Sequence, residues 1–231
     1  MLLQIIIERL FYNSEKKDIM YSILDEQEAK SMYRVVLASN SPRRKEILQQ
    51  VGIDFEVIPS QSEEVSSKIN PIEKVEELAR NKAIEVANTI EGPVIVIGAD
   101  TIVVHNGTIL GKPKDEKDAI AMLSSLQGNN HEVYTGVGIV LKDIVGSNEE
   151  VVNEVISFAD VSKVIVQAMS REQIEAYVKT KECMDKAGSY AIQGKFAIYI
   201  KEIIGDYYNI VGLPISMLYQ KLYGLGIDLL K

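Results

Sequence analysis

The chain lacks several features that define whole classes of protein. Its 231 residues include one cysteine, Cys183, which has no partner for an internal disulfide, and this is typical of a reducing compartment. No apolar run reaches the roughly 20 residues of a membrane-spanning helix. The apolar N-terminal MLLQIII has no basic stretch before it and no cleavage site after it. We therefore expect a cytoplasmic protein without a transmembrane segment or a secretory signal.

Histidine is also scarce, and the net charge of the chain is negative. The two histidines, His105 and His131, lie in no cluster with Cys183 or with each other, which excludes a typical zinc site. No serine elbow motif accompanies them, so acyl transfer by a Ser-His-Asp triad has no support. The net charge of −8 argues against a nucleic-acid partner, since such surfaces depend on many Lys and Arg contacts.

The pattern of apolar residues divides the chain into two parts. Residues 1–33 form an N-terminal extension, disordered or helical, in which polar residues 13–30 offer little for a core. From residue 34 to 231, strand-like runs alternate with amphipathic helical patterns, which indicates one α/β or mixed α+β domain. The predicted strands span 34–39, 55–59, 93–98, 132–142, 151–169 and 195–204, with an Asn106-Gly107 hairpin. The predicted helices span 42–51, 71–89, 115–127 and 214–224, and another begins after Ser170.

Residues 38–45, ASNSPRRK, combine a strand end, a polar turn and a helix start with three cations. Unpaired amides and the helix dipole favour phosphate at such a place, and arginines add charge-assisted hydrogen bonds. Cations in a first helical turn oppose the dipole, which a bound anion would explain. The alternative is a solvated basic turn.

Asp100 follows the buried strand 93–98 and is expected at its carboxyl end, in a crevice. An ionised carboxylate there could hold Mg²⁺ or accept a proton from an attacking water. The alternative is an aspartate that only forms a turn.

Two further segments carry polar side chains. Residues 111–115, GKPKD, place Lys112 before a predicted helix, within reach of phosphate, although the spacing and Pro113 exclude a P-loop. Residues 185–194, DKAGSYAIQG, contain Gln193, whose amide could donate to and accept from a pyrimidine edge. A surface charge and a surface amide remain the alternatives for Lys112 and Gln193.

Together these segments resemble the Maf family of nucleotide pyrophosphatases. The resemblance covers about residues 34–223 and rests on seven stretches in order: LASNSPRR (37–44), GADT (98–101), GKP (111–113), LQG (126–128) with His131, KAG (186–188), IQG (192–194) and VGLP (211–214). It implies an elongated mixed sheet with flanking helices, forming two lobes around a central cleft as in inosine triphosphatases. It also implies a divalent cation, Mg²⁺ or Mn²⁺, and hydrolysis between the α and β phosphates.

The resemblance also assigns residue roles. Asp100 occupies the proton-acceptor position, and the substrate-selecting positions of the dTTP/UTP branch are Arg43, Thr101 and Gln193. The branch that hydrolyses 7-methyl-GTP has Gln after the Asp and Glu in place of this Gln, so the chain sides with the pyrimidine branch. As a separate hypothesis on the mechanism, Ser39, Ser41, Arg44, Lys82 and Lys112 contact the phosphates, and Asp100 with Glu63 or Glu64 holds the metal.

Two other functions stay open on the sequence. A nucleotide-binding regulator without turnover would agree with the historical link between this family and septum formation, and a nucleotidyltransferase would also bind triphosphates. No glycine-rich activating loop supports the transferase. The sequence also leaves open which pyrimidine nucleotide is preferred, including CTP or nucleotides with modified bases, and whether the protein forms a homodimer. The role of the N-terminal extension is open as well: the alternatives are a misread start, a disordered arm and a dimer contact.

Overall fold

The computed structural model describes residues 33–62, 65–145 and 151–230, which form a mixed sheet with helices on both faces. The strands are β1 Arg34–Leu37, β2 Glu56–Val57, β3 Val94–His105, β4 Thr108–Leu110, β5 Asn130–Val145, β6 Val151–Val166 and β7 Ile200–Ile204. The helices are α1 Pro42–Gln50, α2 Pro71–Ala87, α3 Glu116–Leu126, α4 Arg171–Val178, α5 Tyr207–Val211 and α6 Ile215–Tyr223. Two 3₁₀ segments, Ala187–Ser189 and Lys195–Tyr199, precede β7. The mixed α/β fold that the sequence predicts is confirmed.

The sheet has the strand order β2-β1-β3-β5-β6-β7 and is parallel at one end only. β1 runs parallel to both β2 and β3, whereas β3, β5, β6 and β7 pair antiparallel. On the edge of β3 that faces away from β5, β1 pairs with residues 94–97 and β4 with residues 103–105. Within the described residues, no strand pairs with residues 98–102 on that edge, so β3 has an open stretch at its middle.

The two faces of β3 bury different side chains because successive residues of a strand point to opposite sides. Val94 and Val96 pack with Ala83 and Val86 of α2 on one face. Ile95 and Ile97 belong to the larger core on the other face, with residues from α1, α3 and α6. All four β3 side chains are buried, which agrees with the continuously apolar sequence of a central strand.

Helix α2 packs directly on the sheet because glycine lies beneath it at three positions. A methyl group at Gly98 would overlap the carbonyl oxygen of Ala79, and one at Gly136 or Gly138 would overlap the backbone of the same helix. Gly98 of β3 lies opposite Gly138 of β5 in the ladder. This glycine patch lowers α2 onto the sheet and sets how far its side chains reach into the site.

Several local predictions are confirmed. Asn70 accepts hydrogen bonds from the amides of the first turn of α2, and Ser170 forms a reciprocal capping box with Gln173 at α4. The Asn106-Gly107 turn joins β3 to β4 with positive φ at both residues. Residues 146–148, between the predicted strands 132–142 and 151–169, and residues 1–32 of the predicted extension lie outside the described residues.

Three predictions of local structure are wrong. The central strand does not end at residue 98 but continues to His105, because β5 pairs with it as far as Val104. Residues 195–199 are a 3₁₀ segment, and only residues 200–204 pair with β6. The strand expected at 55–59 is limited to residues 56–57, and the short helix α5 was not predicted. Among the residues that the structure describes, no helix is both long and apolar enough to cross a membrane.

Candidate active site

A cleft of about 750 Å³ opens at the unpaired stretch of the β3 edge. Its walls come from residues 38–44 after β1, residues 59–62 after β2, residues 110–112 at the end of β4 and the segments 185–187 and 190–192. Asp100 and Thr101 both line it. They reach it from opposite faces of β3, because the cleft lies where no strand covers the edge. Four of the sequence stretches noted above therefore meet in one place.

The charge of the cleft is opposite in sign to that of the whole protein. Two carboxylates, Asp100 and Asp185, line it, whereas the cationic lining residues number six: Arg43, Arg44, Lys74, Lys82, Lys112 and Lys186. The chain as a whole carries a net charge of −8. This concentration of cations makes the cleft suited to a polyanion such as a triphosphate.

Asp100 forms a buried ion pair with Lys82 of α2. The Lys82 Nζ atom donates to Asp100 Oδ1 at 2.6 Å, and the two side chains are 11% and 10% exposed. Lys82 reaches the carboxylate because the glycine patch brings α2 close to the sheet. The prediction that Asp100 sits at a strand end is wrong, since it lies within β3, where the parallel neighbour β1 has already ended.

Arg44 connects three parts of the site. Its Nε donates to the carbonyl of Gly212 at 2.8 Å, Nη1 donates to Ser39 Oγ at 3.0 Å and Nη2 donates to Thr101 Oγ1 at 3.1 Å. The same Ser39 oxygen accepts from the amide of Ser41 at 3.2 Å. Arg44 thus ties α1, β3 and the end of α5 together at the cleft.

Ser41 occupies the N-cap position of α1, but its side chain makes no capping hydrogen bond. Pro42 follows it at the first helical turn, where a missing amide proton costs nothing. Ser41, Arg43 and Lys112 line the cleft together with Ser39. The structure therefore brings together seven of the sequence-predicted site residues around Asp100: Ser39, Ser41, Arg43, Arg44, Lys82, Thr101 and Lys112.

Gln193 is the predicted residue that the structure places elsewhere. Its side chain is exposed, and it is not part of the cleft lining, whereas its neighbours Ala191 and Ile192 are. Glu63 and Glu64, the candidate metal ligands, lie outside the described residues. No cluster of three or more His, Cys, Asp or Glu side chains suited to a metal occurs within the described ranges.

Sequence reasoning missed two cations of the cleft. Lys186 lines the cleft and pairs with Asp185 at 2.6 Å. Partial burial raises the pKa of Asp185, but the hydrogen bond from Lys186 and the charges of Lys186 and Arg43 outweigh it, so the pKa is lowered. Lys74, on the first turns of α2, donates to the carbonyl of Ser66. The KAG stretch offered a signal for Lys186, and the helical repeat between Lys74, Leu78 and Lys82 offered one for Lys74.

A carboxylate of α2 holds the loop that forms one wall. Glu85 accepts from the amides of Gln61 and Ser62 at 3.1 and 2.9 Å and from the hydroxyl of Ser60. These hydrogen bonds, the one from Ser60 first among them, lower the pKa of Glu85. Since Glu85 lies one turn after Lys82, the same helix positions both the ion pair and this wall.

His131 lies behind the cleft beside the lining residue Tyr190. Its Nε2 is 2.7 Å from the Tyr190 hydroxyl, and its Nδ1 is buried without a hydrogen-bond partner. Burial, and to a smaller extent the charge of His105, lowers the pKa of His131 to about 4. His131 is therefore neutral at pH 7 and supports the wall of the cleft rather than adding to its charge.

Comparisons with known proteins show to which family this chain is similar. A dTTP/UTP pyrophosphatase of Lachnoclostridium phytofermentans is 52% identical over 200 residues, covering 87% of this chain and 99% of the relative. A dTTP/UTP pyrophosphatase of Agathobacter rectalis is 46% identical over 209 residues, covering 85% and 100%. Among solved structures, the Ham1 protein of Staphylococcus aureus is 17% identical, with a TM-score of 0.45 over 83% of this chain and 98% of that one. The family described as "Maf-like protein" matches residues 34–225, and the chain belongs to this family.

Proposed function

We propose that this protein hydrolyses dTTP and UTP to the nucleoside monophosphate and pyrophosphate. The observation that carries the proposal is the buried Asp100–Lys82 pair at the open edge of β3, inside a cleft lined by six cations. A carboxylate supplies a proton acceptor, and the cations supply charge for a triphosphate. The relatives named dTTP/UTP pyrophosphatase match over almost their whole length. They support both the proposed reaction and the choice of pyrimidine nucleotides as substrates.

In the proposed reaction, Asp100 accepts a proton from the water that attacks the α-phosphorus. Lys82 holds the carboxylate in place through its contact with Oδ1. Arg43, Lys112 and the hydroxyls of Ser39 and Ser41 contact the phosphates, where fixed cations stabilise the charge that develops as the bond to pyrophosphate breaks. Arg44 contributes charge and holds Ser39 and Thr101 in position.

The donor set of the cleft fits a hard divalent cation such as Mg²⁺ or Mn²⁺. Mg²⁺ is usually held by one or two carboxylates together with substrate phosphates rather than by a cage of protein ligands. Asp100, with Glu63 or Glu64, would provide such carboxylates. When bound, the ion would neutralise phosphate charge and orient the triphosphate.

Base selection is assigned to Arg43, Thr101 and Gln193. Arg43 and Thr101 line the cleft, which supports their assignment. Gln193 follows the lining residue Ile192 directly, so we propose that it contacts a base at the mouth of the cleft. Apolar lining residues such as Ile192, Ile210 and Val211 provide a surface for the base and the sugar.

The test is pyrophosphate release from dTTP, UTP, CTP, dATP, GTP and 7-methyl-GTP, with Mg²⁺ or Mn²⁺. We expect metal-dependent cleavage of dTTP and UTP that falls by about 10²–10⁴-fold in Asp100→Asn, since loss of a general base costs this much. Asp54→Asn, an exposed aspartate outside the cleft lining, is the matched control and should keep full activity.

Other outcomes would redirect the proposal. Preference for 7-methyl-GTP would contradict the roles of Arg43, Thr101 and Gln193. Near-normal turnover in Asp100→Asn would contradict its role as proton acceptor. Nucleotide binding with no pyrophosphate release would instead support a regulator without turnover.

A further inference from the structure

A row of hydrogen bonds leads from the cleft into the interior of the protein. Arg44 Nη2 lies 3.1 Å from Thr101 Oγ1, which lies 2.9 Å from Thr135 Oγ1 on the neighbouring strand β5. Thr135 Oγ1 in turn lies 2.8 Å from the carbonyl oxygen of Asn209. Thr135 is fully buried and directly opposite Thr101 in the ladder, whereas Thr101 lines the cleft.

The chemistry of the two ends fixes the direction of every bond in this row. The Asn209 carbonyl can only accept, so the single hydroxyl proton of Thr135 points to it. The oxygen of Thr135 must then accept the proton of Thr101. A guanidinium can only donate, so Arg44 donates to the oxygen of Thr101. The proton of Thr101 therefore points into the protein, and its oxygen faces Arg44 and the cleft as an acceptor.

The inner end of the row is held in place by further bonds. The Asn209 side-chain nitrogen donates to the Val133 carbonyl at 3.0 Å and to Ser162 Oγ at 2.8 Å, and Asn209 is fully buried. These contacts join α5 to strands β5 and β6. The carbonyl that orients Thr135 thus belongs to a helix that is bonded to the sheet and not to a loop.

We propose that Thr135 is a positioning residue that makes Thr101 a fixed hydrogen-bond acceptor, and that this selects uracil and thymine over cytosine. The inference rests on the proposed function, because it takes Thr101 as a contact of the base. Uracil and thymine carry a ring N3–H that can donate to such an acceptor, whereas N3 of cytosine is itself an acceptor. A site built to pair with a substrate N–H rejects an analogue that lacks it, since a polar group would be left unpaired.

The test compares UTP and CTP in the wild type and in Thr135→Val and Thr135→Ser. Valine keeps the shape but removes the acceptor of the Thr101 proton, so the Thr101 hydroxyl becomes free to rotate and to donate to cytosine. We expect the ratio of kcat/KM for UTP over CTP to fall at least tenfold in Thr135→Val, mainly through KM, because a base contact contributes to binding in ground and transition states alike. Thr135→Ser, which keeps the hydroxyl, should retain the ratio within about twofold.

A buried valine next to the Asn209 carbonyl could prevent folding, so Thr101→Val serves as a second variant that removes the acceptor at the cleft itself. Thr101→Val should likewise lose the preference for UTP over CTP. A UTP-over-CTP ratio that is unchanged in a folded Thr135→Val, or in Thr101→Val if the former does not fold, would overturn the inference.

Binding measurements separate this inference from the proposed function. If the wild type releases no pyrophosphate, the proposed reaction fails, and calorimetric titration of UTP and CTP into the same variants decides the inference. Tighter binding of UTP that is lost in Thr135→Val supports it. Equal affinity for the two nucleotides in the wild type, or no binding of either, overturns it.

Discussion

Removal of the Lys82 charge should destabilise the protein as well as inactivate it. In Lys82→Met the carboxylate of Asp100, which is 10% exposed, would lose its partner at 2.6 Å. At an effective dielectric constant near 20, the attraction lost is about 6 kcal/mol. Desolvation of the pair offsets part of it, and breaking buried pairs costs about 3–5 kcal/mol. Because the pair borders an open cleft, we expect a loss of about 3 kcal/mol, or about 6–12 °C in Tm for a chain of this size.

Urea unfolding of four proteins measures this loss: the wild type, Lys82→Met, Asp100→Asn and the double variant. The double variant should be more stable than the sum of the single effects predicts, because neither side chain of the pair remains buried without the other. Lys117→Met, an exposed lysine on α3, is the matched control and should stay within about 0.5 kcal/mol of the wild type. A Lys82→Met variant within that same range would refute the assignment of a stabilising ion pair, and additive single effects would refute the coupling.

Three further predictions concern the surroundings of the pair. Gly98→Ala places a methyl group against the Ala79 carbonyl, so α2 must shift; we expect about 1–3 kcal/mol lower stability and about 100-fold lower kcat, and a loss of kcat below tenfold would contradict this. Glu85→Gln weakens the bonds to residues 60–62, so steady-state assays should show a raised KM with kcat nearly unchanged, and a lower Tm with wild-type KM would count against the idea. Burial lowers the pKa of His131 from 6.5 to about 4, so between these pH values the unfolded state binds more protons; the free energy of unfolding should fall by about 3 kcal/mol as pH drops from 6.5 to 4. His131→Asn should remove most of this pH dependence in urea titrations, and an unchanged profile would argue against it.

The short polar motifs predicted the composition of the cleft well, because each one follows a strand or precedes a helix that local patterns identify. Residues 38–44 and 110–112 lie where the sequence suggested, and Asp100 faces the cleft. The extent of β3 could not be predicted in the same way. Its second half is held by pairing with β5, which begins at Asn130, 25 residues after β3 ends at His105, and pairs with β3 as far as Val104.

The role of the glycines also depends on register. In the sequence, Gly136 and Gly138 lack the third glycine of the dinucleotide-binding pattern G-x-G-x-x-G, and no local pattern relates them to Gly98. Only the ladder between β3 and β5 brings the three beneath α2. Likewise, residues 195–199 alternate like a strand, yet β6 pairs with β7 only from Ile200 onward and with a shift in register at that point. The exposure of Gln193 depends on how this segment turns, which no local pattern specifies.

Asp100 lies beside the open stretch of the β3 edge, yet it should stay in place until the whole domain unfolds. Asp100 lies on a strand whose other edge is bonded to β5 from Val94 to Val104. Segments on loops open locally at small free-energy cost, whereas central strands exchange their amide protons only when the whole domain opens. The amide of Asp100 should therefore be among the slowest to exchange. The proposed catalytic carboxylate should therefore keep its place until global unfolding.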